Sequence, residues 1–203
     1  MGPTGSGKSS FISKVTGGSV LTSCTSGLRV TKCKVMGFAN LVLVDTPGLD
    51  DTNRSDLEVL NLISKWLKEN YERKALLSSV LYFHRITDNR MAGTPLKNFR
   101  VFEKLCGDHA MAQVILVTTM WDEVEDDVGK DRLAELRSTY WKGMISHGST
   151  TFRYENTKES ATRLLEEMAE KGIERRHKEL RETAAGQEFF SLECNPQCST
   201  GAP

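Results

Sequence analysis

The chain has 203 residues, enough for one α/β domain with a sizeable core and too few for two full ones. Lys plus Arg and Asp plus Glu are 27 each, so net charge is zero with histidine neutral, and no global field draws the chain to nucleic acid or anionic lipid. No apolar run is long enough for a membrane span or a signal-peptide core, and the five cysteines are an odd number without a C-x-x-C pair, so reduced thiols and a cytoplasmic setting are expected.

The first nine residues hold a complete G-x-x-x-x-G-K-S phosphate loop: Gly2, Pro3, Thr4, Gly5, Ser6, Gly7, Lys8 and Ser9, preceded by Met1 alone. The glycines let the backbone form a nest of N–H donors, Lys8 is placed to reach the β and γ phosphates, and the Ser9 hydroxyl can ligate Mg²⁺. Ser10 joins this phosphate-binding set. Such a loop normally leaves a buried parallel strand and opens a helix. Here the strand side is one methionine, so the expectation is an N-terminally truncated domain lacking its first, central strand.

A short helix over Ser9–Val15 should stop at Gly17-Gly18. Ser19–Gly27, polar and rich in Ser and Thr, reads as a mobile loop carrying Thr25. Leu28–Met36 alternates apolar and polar residues as a half-exposed or edge strand does, and Leu41–Val44 is an apolar run suited to burial on both faces, ending in Asp45. Ser55-x-x-Glu58 has capping-box spacing for a helix with Leu60, Ile63 and Leu67 on its inner face. Val80–Phe83 and Val114–Val117 read as two further buried strands. Between them Thr94-Pro95 supplies an N-cap and an N1 proline for a helix to about Leu105. A charged helix over Val128–Lys142, a last strand at Phe152–Tyr154 and a helix capped by Asn156 complete the pattern. Strands alternating with amphipathic helices argue for an α/β fold with a mostly parallel sheet covered by helices on both faces. Residues 1–171 form the domain, 172–185 a charged C-terminal helix and 186–203 a disordered tail.

A phosphate loop alone says only that a phosphate ester is bound, and two later stretches narrow the choice. Leu41–Gly48 places D-x-x-G after an apolar strand, with Asp45 to hold Mg²⁺ and the Gly48 N–H to meet the γ phosphate. Thr46 follows Asp45 where a strand-type ATPase would carry a glutamate. Thr119-Met120-Trp121-Asp122 has the spacing of a guanine-reading N/T-K-x-D box, with Asp122 accepting from the base and Met120 in place of lysine. Thr25 is the candidate switch threonine and third Mg²⁺ ligand beside Ser9 and Asp45, with Thr22 and Ser26 as alternatives. Lys8, Thr25 and Gly48 form the expected catalytic set. Leu49 stands where many small GTPases carry a water-orienting glutamine, so hydrolysis should be slow or partner-assisted. Arg85 or Arg90 either meets a phosphate or pairs with Asp88 to shape its loop.

The series G-P-T-G-S-G-K-S, S-C-T, V-D-T-P-G-L-D-D-T and T-T-M-W-D-E-V resembles septin-like P-loop GTPases of the immune-associated (AIG) and chloroplast import-receptor group. It is similar above all to fungal G-domain proteins carrying H-R-I-T-D-x-R-M and M-W-D-E-V. The resemblance implies a G domain that binds GTP and GDP with Mg²⁺, hydrolyses GTP as a switch and forms a homodimer through the nucleotide face. The alternative is a non-enzymatic nucleotide-bound scaffold, or a degenerate G domain that no longer binds nucleotide well.

Overall fold

A computed structural model describes residues 1–17, 21–25, 27–35, 38–49, 55–72, 77–89, 91 and 93–182; for 21–25, 33–35, 38–40, 56, 71, 108–109 and 175–182 it describes the backbone. The expected tail over 186–203 lies outside the described residues.

In chain order the elements are α1 (Lys8–Thr16), β1 (Leu21–Thr25), β2 (Leu28–Val35), β3 (Phe38–Asp45), α2 (Asp56–Glu72), β4 (Val80–Arg85), α3 (Thr94–Ala110), β5 (Val114–Thr119), α4 (Asp126–Glu135), α5 (Lys142–Ser146), β6 (Thr150–Arg153) and α6 (Lys158–Glu182). A π-helical turn at Leu136–Tyr140 joins α4 to α5, with the Trp141 N–H donating to the Leu136 carbonyl at 2.7 Å.

The α/β architecture is as expected, and among the described residues its strands pair in two groups of three. β4, β5 and β6 run parallel in that order, whereas β1, β2 and β3 form an antiparallel meander. The expected loop around Thr25 is therefore a strand: Leu21–Thr25 pairs with β2, closing with Thr25 opposite Leu28. Its Ser/Thr content suggested a loop, but β-branched threonines fit a pleated surface once a partner strand is present. A second correction concerns β3. Val42 is 50% exposed, so the run is not buried on both faces.

Alternation along the parallel strands sorts two cores onto opposite faces. Tyr82, Val114 and Leu116 pack with Val59 and Ile63 of α2 and with Phe99 and Phe102 of α3. Phe83, Ile115 and Val117 turn the other way, to Phe11 of α1 and Leu164 and Leu165 of α6. The Phe11 and Tyr154 rings meet edge to face at 5.7 Å. All six residues of β5 are buried. Each large apolar side chain there contributes about 1.5–3 kcal/mol, and Leu116→Ala would cost about 2–5 kcal/mol.

Helix ends follow local chemistry. Gly17 ends α1 with φ 60°. Ser55 and Glu58 form the reciprocal capping box: the Ser55 N–H donates to the Glu58 carboxylate at 2.8 Å, and the Glu58 N–H to the Ser55 hydroxyl at 3.3 Å. For α3 the accepting carbonyl is that of Gly93, one residue before the expected cap, receiving the Lys97 N–H at 3.0 Å. For α6 the cap is Thr157, not Asn156: its hydroxyl accepts the Ser160 N–H at 3.0 Å, while Asn156 takes a left-handed φ of 54°. α6 passes through Gly172 without a break, and a Cβ there would stand 3.0 Å from that of Ser78, so the glycine lets the helix pack closely on the segment before β4. One residue earlier on this helix, Lys171 donates to the carbonyls of Ala112 and Gly148 at 2.7 and 3.3 Å.

Candidate functional site

The phosphate loop is held from both ends. Gly2 lies against β4 so closely that a Cβ on it would stand 2.3 Å from the Phe83 carbonyl oxygen, and its φ of 130° suits glycine alone. At the far end Gly7, with φ 89°, turns the chain into α1, and its carbonyl accepts the Phe11 N–H at 2.9 Å. Between them the buried Ser6 donates its hydroxyl to the Pro3 carbonyl at 2.8 Å, closing the turn on itself. Thr119, at the end of β5, presents its hydroxyl to the carbonyls of Ser6 and His84 at 3.2 and 3.3 Å. One side chain thus ties the loop to β4 and β5.

Beside the loop opens a cavity of about 330 Å³, walled by the loop itself, by Gly27 and Arg29 of the β1–β2 hairpin, and by Asp45–Gly48 after β3. The chemistry of its walls is that of a phosphate and cation site. Lys8 turns its ammonium onto the loop, donating to the Gly2 and Pro3 carbonyls at 2.9 and 2.6 Å. The Ser9 hydroxyl donates to the Asp45 carboxylate at 2.7 Å. Gly48 packs directly on the loop: a Cβ there would stand 2.1 Å from the Thr4 hydroxyl oxygen and 2.7 Å from its nitrogen. The structure therefore brings Gly2 to Ser9 together with Asp45 and Gly48. Gly5 faces Arg85, whose Nη1 is 3.8 Å from where a Gly5 Cβ would be. Ser10 is exposed on the first turn of α1. Thr25 is not in a loop; it closes the hairpin strand two residues before Gly27, and its side chain lies outside the described residues.

Ser9 and Asp45 juxtapose a hydroxyl and a carboxylate, the hard oxygen donors that Mg²⁺ takes, so these residues fit the ion. Leu49 turns away from the cavity; it is 1% exposed and belongs to the core with Val59 and Ile63.

On the base-reading side the four residues separate. Thr119 is the buried tie already described. Met120 takes a left-handed φ of 60°, and its sulfur receives the Thr87 hydroxyl at 3.9 Å. Trp121 is buried, donates its indole N–H to Thr118 at 3.1 Å and carries the Arg153 guanidinium 4.0 Å above its ring, so it packs within the fold rather than covering a base. Asp122 alone is left exposed. Its acidic neighbour Asp126 is engaged elsewhere, by Lys130 at 2.6 Å and Arg153 at 2.7 Å, and these two hydrogen bonds hold its carboxyl below the usual range.

Arg85 pairs with Asp88 at 3.1 Å, which shapes the loop after β4. Arg132 from α4 fastens that loop, donating to the Ile86 and Thr87 carbonyls at 2.9 and 3.2 Å and to the Asn89 side chain. Arg90 lies outside the described residues. Sequence reasoning passed over Arg29 as the polar half of an alternation. Its place at the cavity comes from the antiparallel register that sets it opposite Asp45, which no local signal announces.

A glycine-rich loop that opens a helix, beside a strand-end carboxylate and within helices on both faces of the sheet, makes this a P-loop domain of the G-domain fold. The chain belongs to the AIG1 family, whose pattern matches residues 1–181. No curated protein matches it in sequence. Among solved structures it is similar to Toc33 from Arabidopsis thaliana in complex with Mg²⁺ and GMPPNP, with TM-score 0.59 and 20% identity over 77% of this chain and 69% of that one. A dimerization-deficient mutant of the same protein gives 0.60 at the same identity and coverage. A structure of the chloroplast translocon components atToc33 and psToc159, for which dimerization is important for GTPase activity, gives 0.57 at 17% identity, covering 77% and 68%.

Proposed function

We propose that this chain binds GTP and GDP with Mg²⁺ and hydrolyses GTP slowly, as a switch. The observation that carries the reading is the meeting of Lys8, Ser9, Asp45 and Gly48 around one phosphate-sized cavity. Lys8 and the loop N–H groups would hold the β and γ phosphates. Ser9 and Asp45, with Thr25 as a further ligand, would hold Mg²⁺, which neutralises charge between those phosphates. Asp122 would select guanine, because a carboxylate accepts from N1 and N2 of that base and adenine offers no such pair. The occurrence of Toc33 complexes with GMPPNP and with GDP supports this choice of ligands.

Slow turnover follows from Leu49, which is buried and cannot orient water. Arg85, alongside the loop and partly exposed, is the side chain that a second copy facing the nucleotide could meet or receive. A homodimer through this face is supported by the dimerization recorded for Toc33 and its relative. A cytoplasmic setting completes the reading.

Titration of the purified chain with GTP, GDP and ATP, with and without Mg²⁺, tests it. GTP should bind in a Mg²⁺-dependent way, GDP should displace it and ATP should not. Lys8→Ala should abolish binding. Equal competition by ATP would overturn the guanine assignment. Single-turnover hydrolysis should quicken as protein concentration rises, and a flat rate would remove the dimer from the mechanism.

A further inference from the structure

Among the described residues, two cationic side chains line the phosphate cavity, Lys8 of α1 and Arg29 of β2, against the carboxylate of Asp45. Lys8 turns its ammonium onto the Gly2 and Pro3 carbonyls. Arg29 is exposed, and among the described residues its guanidinium has neither an ion pair nor a hydrogen bond. Arg85 and Arg153, by contrast, are held by Asp88 and by Asp126. A guanidinium is a flat fork of N–H donors that matches two oxygens of one phosphate. At Arg29 that fork stands beside an anion-binding loop with no acceptor of its own.

Its backbone is fixed from three directions. Arg29 lies on the middle strand of the antiparallel meander, opposite Cys24 of β1 and Asp45 of β3. Residues directly opposite in such a pair keep their Cβ atoms about 5 Å apart, so the root of Arg29 is set beside the carboxylate that would hold Mg²⁺. Leu28, one residue before it, is 1% exposed and packs into the core with Val59 and Ile63. The long side chain therefore reaches the cavity from a rigid base. Arg29 and Gly48 approach from β2 and from the segment after β3, whereas Lys8 and Ser9 approach from the first turn of α1.

We propose that Arg29 binds the γ phosphate and so acts as a triphosphate-specific ligand of the site. The inference rests on the GTP reading above. A diphosphate fills the nest of loop N–H groups with Lys8, and the third phosphate extends to the strand side, where Gly48 and Arg29 stand. Mg²⁺ on Asp45 occupies the one carboxylate of the cavity wall that could compete for the guanidinium. Because Arg29 is paired with β1 and β3 at once, its grip on the γ phosphate fastens the β1–β2 hairpin, and loss of that phosphate releases it.

The test is calorimetric titration of the full chain with GMPPNP and with GDP, both in Mg²⁺, for the unsubstituted protein, Arg29→Met and Arg29→Lys. Arg29→Met keeps an apolar stem and removes the charge at an exposed position. It should weaken GMPPNP about 10-fold or more and leave GDP within about twofold. Arg29→Lys, which restores the charge without the fork, should recover part of the loss. An equal loss for both nucleotides would overturn the proposal, and so would unchanged GMPPNP affinity, which would make Arg29 a solvated surface charge. Binding of neither nucleotide by the unsubstituted chain would overturn the GTP reading together with it, whereas normal binding without a selective loss in Arg29→Met would overturn this inference alone.

Discussion

The Ser9 hydroxyl and the Asp45 carboxylate meet at 2.7 Å, joining the first turn of α1 to the end of β3. A cation entering between them exchanges one neutral-to-charged hydrogen bond for direct or water-mediated ligation. Asp45→Asn keeps the shape and removes the charge. It should weaken Mg²⁺-dependent GTP binding about 10-fold or more while leaving the weaker metal-free binding nearly unchanged. Titrations with Mg²⁺ and with EDTA read both, and an equal loss in each would show that Asp45 does not act through the metal.

Gly48 has no room for a side chain. In Gly48→Ala the new methyl would stand 2.1 Å from the Thr4 hydroxyl and 2.9 Å from its Cα, so the segment after β3 must lift off the loop. The expected result is a loss of about 10-fold or more in affinity for a GTP analogue with GDP affinity held, since only the γ phosphate needs the Gly48 N–H. An equal loss for both nucleotides would place Gly48 in loop packing alone.

Asp122 is exposed at the end of β5, beyond a Trp121 that the fold keeps for itself. Asp122→Ala should remove charge-assisted bonds to guanine of about 1.5–3 kcal/mol, about 10-fold to 150-fold in affinity. Discrimination against ATP should fall with it. Unchanged affinity would sink the base-reading role.

Leu49→Gln looks like the restoration of a catalytic glutamine, and burial predicts otherwise. The side chain is 1% exposed, so an amide placed there loses its water and costs about 1–3 kcal/mol. Chemical denaturation should record that loss with no rise in the single-turnover rate. A faster rate would mean that the segment turns over when nucleotide is bound.

His84 sits buried on β4, edge-on to Trp141 at 5.9 Å, with its Nδ1 unpartnered. Burial lowers its pKa from 6.5 to about 4. The unfolded chain therefore binds a proton through this interval that the folded chain refuses, so stability should fall as pH drops from about 6.5 toward 4, by about 3 kcal/mol in all. Above pH 6.5 the ring is neutral in both states and contributes no slope. Denaturant midpoints across this range should show the fall, and His84→Leu should flatten it; an unchanged slope would assign it to other groups, the Met1 amine among them.

Much of the site was legible because its signals are local. Gly2 to Ser9 and Asp45 to Gly48 are each read within a few residues, and Lys8 reaches the loop it belongs to. The capping box at Ser55 and Glu58 is equally self-contained. What escaped depends on pairing between distant segments. Whether Thr22 and Thr25 belong to a loop or a strand is decided by β2, and the approach of Arg29 to the phosphate cavity by its register against β3. Trp121 shows a third kind of difficulty. Its sequence neighbours suggest a nucleotide contact, while Gly129 on α4 and Arg153 on β6 claim its ring.

Lys171 gives the molecule an unequal pair of ends. Its ammonium holds the carbonyls just before β5 and β6, so α6 clasps the sheet at the pole opposite the phosphate loop. A ligand seated against Lys8 and Ser9 therefore lies at the end of the sheet that this clasp does not reach.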